Sequence, residues 1–456
     1  MRRVVKVSRI RIIITIIVVV LTTLLTGCTG KEPNEIAYVV ALGIDSTDDD
    51  NYKITIQYAN TTQISGGASE SGGKAGSEIV DNVTIEAPNI YAGVGLANNI
   101  VSKSFSMSHA KLIVFSKEIA EKGVKDMIET LVRSEEIRPD VFIAVANTTA
   151  NDYLTSVNPE MEVNPAQYYQ LIYQKNQLVG IPDGQLREFF TGLYTDNYDS
   201  ILPIAGVIEE SGGNSQNDDK GQSKDGQNEG SEGSSESLDS FESKSSNEKD
   251  ENEKEKDAEK NTSKYEYDIK NYVGGETAIE KKNKAEAIGA AVFEKDKMVG
   301  ELGEVETEIC KMLKGDYTYS YLTYYNNDTP DIPITVKTTQ QKKPKYKIDT
   351  DKKTVDIELY IESDLYSLPA DYNVENKIED FERDVANYTS SACTEFINNF
   401  TKKYNSDILK LNEKVKYKFL TNNQYNWFKK NVGWSEYKFS VCTNFKVRRT
   451  GLIVRE

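Results

Sequence analysis

A chain of 456 residues with 38% hydrophobic content is long enough for about three domains with real apolar cores. Its formal net charge of −17 argues against nucleic acid as a partner, and a single histidine, His109, excludes a metal centre built on several histidines. The four cysteines, Cys28, Cys310, Cys393 and Cys442, stand far apart without metal-ligand spacing. With Cys28 set aside their number is odd, so no disulfide framework is indicated, while one bridge among Cys310, Cys393 and Cys442 stays open.

Arg2, Arg3, Lys6, Arg9 and Arg11 precede an uncharged apolar stretch from Ile12 to Leu25, the charge pattern of a secretory signal. That stretch is shorter than the roughly 20 residues a spanning helix needs, and it closes on Leu25-Thr26-Gly27-Cys28. This site resembles the bacterial lipobox, which implies a signal peptide over 1–27, a mature chain beginning at Cys28, and acyl groups on that cysteine. Two chains at about 0.8 kcal/mol per buried methylene hold a protein to a membrane durably. Removing the five cations of the signal leaves a mature charge of −22.

From Ala37 to Ile44 the chain is apolar, and Tyr52, Ile54, Ile56 and Tyr58 alternate with polar residues; both read as strands. Gly66 to Ser77 reads as a flexible loop. Leu112–Phe115 and Val141–Ala146 predict two further strands. Between them Val124, Met127, Ile128 and Leu131 fall at helical spacing. Weaker helical patterns cover Ile90–Val101 and Pro165–Gln174, and Ser200–Val207 predicts a last strand. Ser211 to Asn261 carries 15 acidic and 7 basic residues among Gly, Ser, Asn and Gln, so it cannot bury a core and reads as a disordered acidic linker. Much of the acidity lies in this segment and is no evidence for a cation site.

Beyond it, Gly289–Phe293 and Met298–Leu302 flank a Glu294–Lys297 turn, a hairpin followed by a helix from about Val305 to Leu313. Ile332 to Ser363 predicts strands that turn at Asp349–Lys352. Ile378, Phe381, Val385, Tyr388, Ala392, Phe396 and Phe400 then predict a long amphipathic helix with its polar face outward. Tyr437–Val447 returns to alternation, with Phe439, Val441, Thr443 and Phe445 on one face, and Gly451 interrupts before Leu452–Val454. The expectation is an α+β, multidomain fold of mixed sheets with packed helices. Its N-terminal domain spans 28–210, its linker 211–272, its middle hairpin-helix region 273–326 and its C-terminal α+β domain 327–456.

Several stretches together resemble the Ger(x)C family, the C-subunit lipoproteins of spore germinant receptors. They are the lipobox, Ala41-Leu42-Gly43-Ile44-Asp45, Ser108-His109-Ala110-Lys111, and the segment Arg133 to Asp140. Leu202-Pro203, Ile288 to Phe293, Met298 to Leu302 and Arg448-Arg449-Thr450-Gly451-Leu452 follow in the same order. The chain departs from the family pattern in its long acidic linker and in Thr29-Gly30-Lys31, where a Trp commonly follows the lipid-bearing cysteine. The resemblance implies a palmitate-bearing lipoprotein on the outer face of the spore inner membrane, working with integral membrane A and B subunits that respond to nutrients. It leaves open whether this subunit takes a germinant itself.

Catalytic chemistry finds little support. No G-x-S-x-G elbow is present, Gly73-Lys74 lacks the glycine and hydroxyl of a phosphate loop, and Gly93 with Gly95 lacks the third glycine of a dinucleotide fingerprint. A His-containing triad would have to use His109, which reads more simply as a hydrogen-bonded structural residue. Arg133 to Asp140 reads as a capped helix end with local ion pairs, set against a docking patch. Arg448 and Arg449 read as a solvated strand end, set against a lipid contact. No catalytic, cofactor or metal residue is assigned. The reading is a noncatalytic subunit of a nutrient germinant receptor, needed for spore germination. The alternatives are an extracytoplasmic solute-binding lipoprotein of a transporter and a structural envelope lipoprotein.

Overall fold

The central strands of the first region are apolar on both sides, and a strand of that kind needs cover on both faces. The computed structural model describes residues 13–18, 35–49, 51–59, 80–158, 165–174, 180–195, 197–208, 271–277, 283–326, 329–368, 377–404 and 406–450. Cys28, the Gly66–Ser77 loop, the Ser211–Asn261 linker and Gly451–Val454 lie outside them. In chain order the first nine strands are β1 (Ile36–Ser46), β2 (Tyr52–Ala59), β3 (Val80–Ala87), β4 (Ser104–Ser106), β5 (Leu112–Ser116), β6 (Phe142–Ala146), β7 (Ile201–Val207), β8 (Ala285–Glu294) and β9 (Lys297–Leu302). They form one sheet in the order β3-β2-β1-β5-β6-β7-β8-β9, with β4 beside the start of β1.

The pairs β1–β5, β5–β6 and β6–β7 are parallel, and the outer pairs are antiparallel. Parallel neighbours need crossovers, and helices supply them. The first six are α1 (Ile90–Ala97), α2 (Lys117–Lys122), α3 (Lys125–Val132), α4 (Ala150–Ser156), α5 (Pro165–Gln174) and α6 (Leu186–Thr195). Side chains alternate between the faces of a strand. Ile113, Phe115, Ile143 and Val145 therefore meet Val94 of α1, Ile128 of α3 and Phe189 of α6 on one side. Leu112, Val114, Ala144 and Ala146 meet Tyr153 of α4 and Tyr169 of α5 on the other. The expected middle region 273–326 gives β8 and β9 to this same sheet. Val207 of β7 and Ala285 of β8 are register partners although the linker separates them in sequence.

Five strands make the second sheet: β10 (Tyr319–Asn326), β11 (Thr329–Gln340), β12 (Lys345–Asp349), β13 (Thr354–Ser367) and β14 (Lys438–Arg449). β13 is central, with β11 and β12 sharing one edge and β14 running parallel along the other. Before this sheet stands α7 (Glu304–Lys314). The crossover from β13 to β14 holds α8 (Ile378–Lys403), α9 (Leu411–Val415) and α10 (Asn422–Asn431). Phe381, Val385, Phe396, Ile397 and Phe400 of α8 are buried, as the helical periodicity predicts. Ile201, Ala290 and Val292 of the first sheet share a core with Ile357, Leu359 and Phe439 of the second, so the two sheets are packed into one unit.

Most of the polar face of α8 points to water as expected, with Arg383, Asn387, Ser391, Glu395 and Asn399 exposed, but one polar row on its flank is turned to β14. Asn398 Nδ2 donates to Phe439 O at 2.9 Å, and Asn398 Oδ1 accepts from Phe439 N at 3.1 Å. Val441 N donates to Thr394 Oγ1 at 3.0 Å, Thr443 N to Ser390 Oγ at 2.9 Å, and Val447 N to Glu382 Oε1 at 2.8 Å. Four helical residues rise about 6 Å and two strand residues about 6.6 Å, so every fourth residue of α8 keeps step with alternate residues of β14. The helix thus takes up an edge that would otherwise present bare N–H groups.

Asn398→Ala removes both bonds to Phe439, and the expected cost is about 1–3 kcal/mol of unfolding free energy. Lys402→Ala on the exposed side of α8 should change it by less than about 0.5 kcal/mol. Urea unfolding checks this: the Asn398 variant lowers the midpoint at an unchanged slope, and equal midpoints for the two variants would remove the role given to this ladder.

Candidate functional site

The family-like motifs fall at joints of the fold. Asp45, at the end of the Ala41–Asp45 motif in β1, accepts from Ala150 N at 2.6 Å and from Asn151 N at 3.0 Å, the first two amides of α4. Burial raises its carboxyl above the ordinary value while those two donors pull it back. In the same motif a Cβ on Gly43 would stand 3.0 Å from Leu154 Cδ1 and 3.1 Å from Ala150 Cβ, so the small residue lets α4 lie close on the strand. Lys111 N donates to Val40 O at 2.9 Å and Lys111 O accepts from Phe142 N at 3.0 Å, which ties the Ser108–Lys111 motif between β1 and β6.

The Arg133–Asp140 segment is held by local bonds. Arg133 pairs with Glu129 one turn back at 3.0 Å, and Arg138 makes a two-pronged contact with Asp140 at 2.9 and 3.0 Å. Ser134 Oγ accepts from Glu136 N and Ile137 N, and Glu136 Oε2 accepts from Met107 N at 2.7 Å. Arg448 pairs with Glu362 at 3.2 Å, and Arg449 is exposed. His109 is exposed too, with Nδ1 at 3.0 Å from Ser108 Oγ and its ring edge-on to Tyr38. No hydrogen bond joins its ring to a carboxylate among the described residues. Cys310 and Cys393 are free and buried, and Cys442 is free and exposed on β14. Burial pushes the Cys310 thiol up to about 11 and that of Cys393 up to about 12, which keeps both protonated and unreactive at neutral pH.

A built concavity lies elsewhere, where the approach to β7 and the β8–β9 turn meet the segment after α8. It encloses about 590 Å³ and is lined by Tyr198, Asp199, Lys295, Tyr404, Ser406, Asp407, Lys429, Lys430 and Trp434 among others. Its floor is a pair of carboxylates held by backbone. Asp199 accepts from Lys295 N at 2.9 Å and from Asp407 N at 2.8 Å, and its own N–H donates to Asp407 O at 3.1 Å. Asp407 in turn accepts from Leu411 N and Asn412 N, each at 2.8 Å, which begins α9. Ser406 Oγ donates to Phe293 O at 2.9 Å. Behind the lining, Lys410 Nζ sits 3.0 Å from Glu188 and 4.2 Å above the ring of Tyr198, and within it Trp434 Nε1 donates to Asn412 Oδ1 at 3.1 Å. Burial raises both carboxyls, and that of Asp407 is pushed up to about 7 in spite of its two donors.

This cleft can take a small polar molecule between lysines and an indole, but Asp199 and Asp407 are already bonded to backbone amides. No group of three or more His, Cys, Asp or Glu residues suited to a metal occurs among the described residues. The sequence does not reveal the cleft because Asp199 and Asp407 stand 208 positions apart and neither belongs to a motif.

Fold and cleft together define a two-sheet α+β protein whose distinctive residues serve assembly. Two family models match the chain in order: the Spore germination protein N-terminal domain over residues 30–207, and the Spore germination B3/GerAC-like C-terminal domain over residues 288–451. The chain belongs to the Ger(x)C family of spore germination proteins. It is 26% identical over 174 residues to Spore germination protein KC of Bacillus subtilis (strain 168), which is 35% of this chain and 42% of that one. It is 26% identical over 148 residues to Spore germination protein B3 of the same organism, 30% of this chain and 36% of that one. To Spore germination protein GerQC of Bacillus cereus it is 27% identical over 104 residues, 23% and 29% of the two chains. The matched stretches span less than half the length of these relatives. The crystal structure of the GerBC protein aligns over 89% of this chain and 96% of its own, at 15% identity and a TM-score of 0.47.

The raised carboxyl of Asp407 has a stability consequence. Its folded value near 7 lies above the value of about 3.9 in an unfolded chain, so the favourable contribution is complete below pH 4 and is lost as pH rises through 7. Glu308, pushed up to about 7 by burial, acts with the same sign. Asp407→Asn removes the share of Asp407 alone. Between pH 5 and pH 8 the stability of the variant relative to the parent should rise by on the order of 1–3 kcal/mol. Urea midpoints across that range measure it, and a constant difference would mean that Asp407 does not titrate there.

Proposed function

We propose that the chain is a noncatalytic lipoprotein subunit of a nutrient germinant receptor, needed for spore germination and docked on integral membrane A and B subunits. Acyl chains on Cys28 hold it to the outer face of the spore inner membrane. The observation that carries the reading is the pair of germination-protein family models, which cover 30–207 and 288–451 in order on a chain with a lipobox-like Leu25–Cys28 just ahead of them. The noncatalytic role is supported by where the family-like residues stand, since Asp45, Lys111 and Glu136 are engaged in holding strands and helices together. Among the described residues no helix is long and apolar enough to cross a membrane.

A solute-binding lipoprotein would need two lobes that open and close on a ligand. Here the two walls of the cleft are joined by the reciprocal Asp199–Asp407 hydrogen bonds and by a common apolar core, which opposes such hinging. The cleft remains available to a small molecule without lobe movement.

Deleting the gene should abolish germination with a subset of nutrients, each tested alone, while the response to dodecylamine persists. Normal germination with every nutrient would count against the receptor reading. The anchor is tested apart from it: Cys28→Ala should abolish palmitate labelling and the diacylated N-terminal peptide in mass spectra, and labelling at the parental level would refute the assignment of Cys28.

A further inference from the structure

Between α8 and β14 the chain changes character. Lys410 to Asn431 holds six lysines and one acid, a net charge of +5, in a chain whose total is −17. The same stretch leaves Tyr417, Leu420 and Trp427 exposed by 79%, 94% and 64%. Scattered exposed apolar residues need no explanation, but three large ones within eleven positions, interleaved with cations, form a patch. A shallow groove of about 450 Å³ lined by Lys416, Tyr417, Phe419, Leu420 and Tyr425 runs beside it. On α10 Tyr425 and Phe428 turn inward, while Trp427 and Lys430, three positions apart, share the outward face.

The patch is also placed. The parallel strands β1, β5, β6 and β7 all begin at one end of the first sheet. Residues Thr195 and Asn197 lead into β7 at that end, and α10 is fastened to them: Tyr425 OH donates to Asn197 Oδ1 at 3.0 Å, and Lys429 Nζ to Thr195 O and Asn197 Oδ1 at 3.2 Å each. Ile36, the first residue of β1, emerges at the same end, eight positions after Cys28. A tether from Cys28 would therefore bring this end of the sheet to a membrane first.

We propose that the Lys410–Asn431 face docks on the headgroups of an anionic bilayer. Lys416 and Lys430 lie against the phosphates, Tyr417 and Trp427 sit at the polar–apolar boundary, and Leu420 reaches the acyl region. Basic residues are drawn to an anionic surface within a Debye length, and aromatic rings favour the interface between water and hydrocarbon. The remainder of the chain as a whole is net negative and is repelled by the same surface; Lys337–Lys347 also holds five lysines and no acid, so what distinguishes the Lys410–Asn431 face is its exposed Tyr417, Leu420 and Trp427 interleaved with cations. Lys410, paired with Glu188, is not needed for the contact. The orientation rests on the proposed anchor at Cys28, while the lipid contact itself does not.

The chain has two tryptophans, and Trp434 is buried, so Trp427 can report on the patch. Full-length protein is reconstituted in vesicles of phosphatidylglycerol and phosphatidylcholine, with Trp427→Phe as the reference that isolates its signal. The expected result is a blue shift of Trp427 emission and quenching by brominated lipid. Both should be lost in pure phosphatidylcholine at high salt and weakened in a Lys416→Gln/Lys430→Gln variant. Emission at the water position with free quenching by iodide would overturn the proposal. Shielding from iodide without bromolipid quenching would also overturn it, since a protein surface would then cover the patch. Bromolipid quenching in a chain that carries no palmitate would leave the docking face standing and refute only the anchor.

Discussion

The fold depends on one antiparallel pairing, that of β7 with β8. The first family model ends at the last residue of β7 and the second begins inside β8, so neither module has a complete sheet without the other. The pairing sets Ile201 beside Val292, and these two, with Ala290 and Leu302, form the wall against which α7 and the second sheet pack. A long insertion between adjacent strands is tolerable because the entropy of closing a loop grows only as the logarithm of its length. The re-entering chain is clamped as well. Gly274 N donates to Ile288 O at 2.9 Å and Asn147 Nδ2 donates to Gly274 O at 2.7 Å. A Cβ on Gly206 would stand 2.1 Å from the backbone of Gly274 and Gly275, so only glycine lets the returning segment cross β7 there.

Much of this was legible in the sequence, and the failures have physical causes. The apolar runs of β1, β5 and β6, the alternation of β2 and β14, and the stripe of α8 all follow from burial acting on a period of 2 or 3.6. Elements that owe their existence to partners were missed. α10, Asn-rich and with only Tyr425 and Phe428 buried, has almost no apolar period and is held by its Thr421 cap and by bonds to Asn197 and Thr195. α4 is short and begins where Asp45, over a hundred positions earlier, supplies acceptors. The neighbourhood of β7 and β8 is a tertiary fact, and composition could show only that the linker between them has no core of its own.

The polar face of α8 illustrates a subtler limit. Ser390, Thr394 and Asn398 are ordinary residues for a solvated helix face, and nothing in their spacing distinguishes water from a strand edge as the intended partner. The repeat of four on the helix and two on the strand becomes meaningful only when β14 lies alongside. The same holds for the cleft, whose carboxylates are brought together by the approach to β7 and the turn after α8. Candidate chemistry in this chain therefore had to be read from the structure. Within the motifs that carry the family resemblance, Gly43, Asp45 and Glu136 stand where the neighbouring backbone needs that residue.

Those structural motifs bear on the proposed function through rigidity. A subunit that docks on membrane partners transmits a response only if displacement at one face is carried to another, and packed elements with shared polar ladders carry it better than hinged lobes do. The continuous core from Ile201 through Leu359 to Phe439 joins the cleft end of the first sheet to the second sheet without an intervening linker. The acidic insertion leaves and re-enters at a single point on this body, so its length can change without altering the distance between its ends. The side of β7 from which the linker departs is the opposite end from the Lys410–Asn431 patch, because β7 begins near Asn197 and ends at Val207. The Ser211–Asn261 insertion, with its net −8, is thus joined to the body at that opposite end.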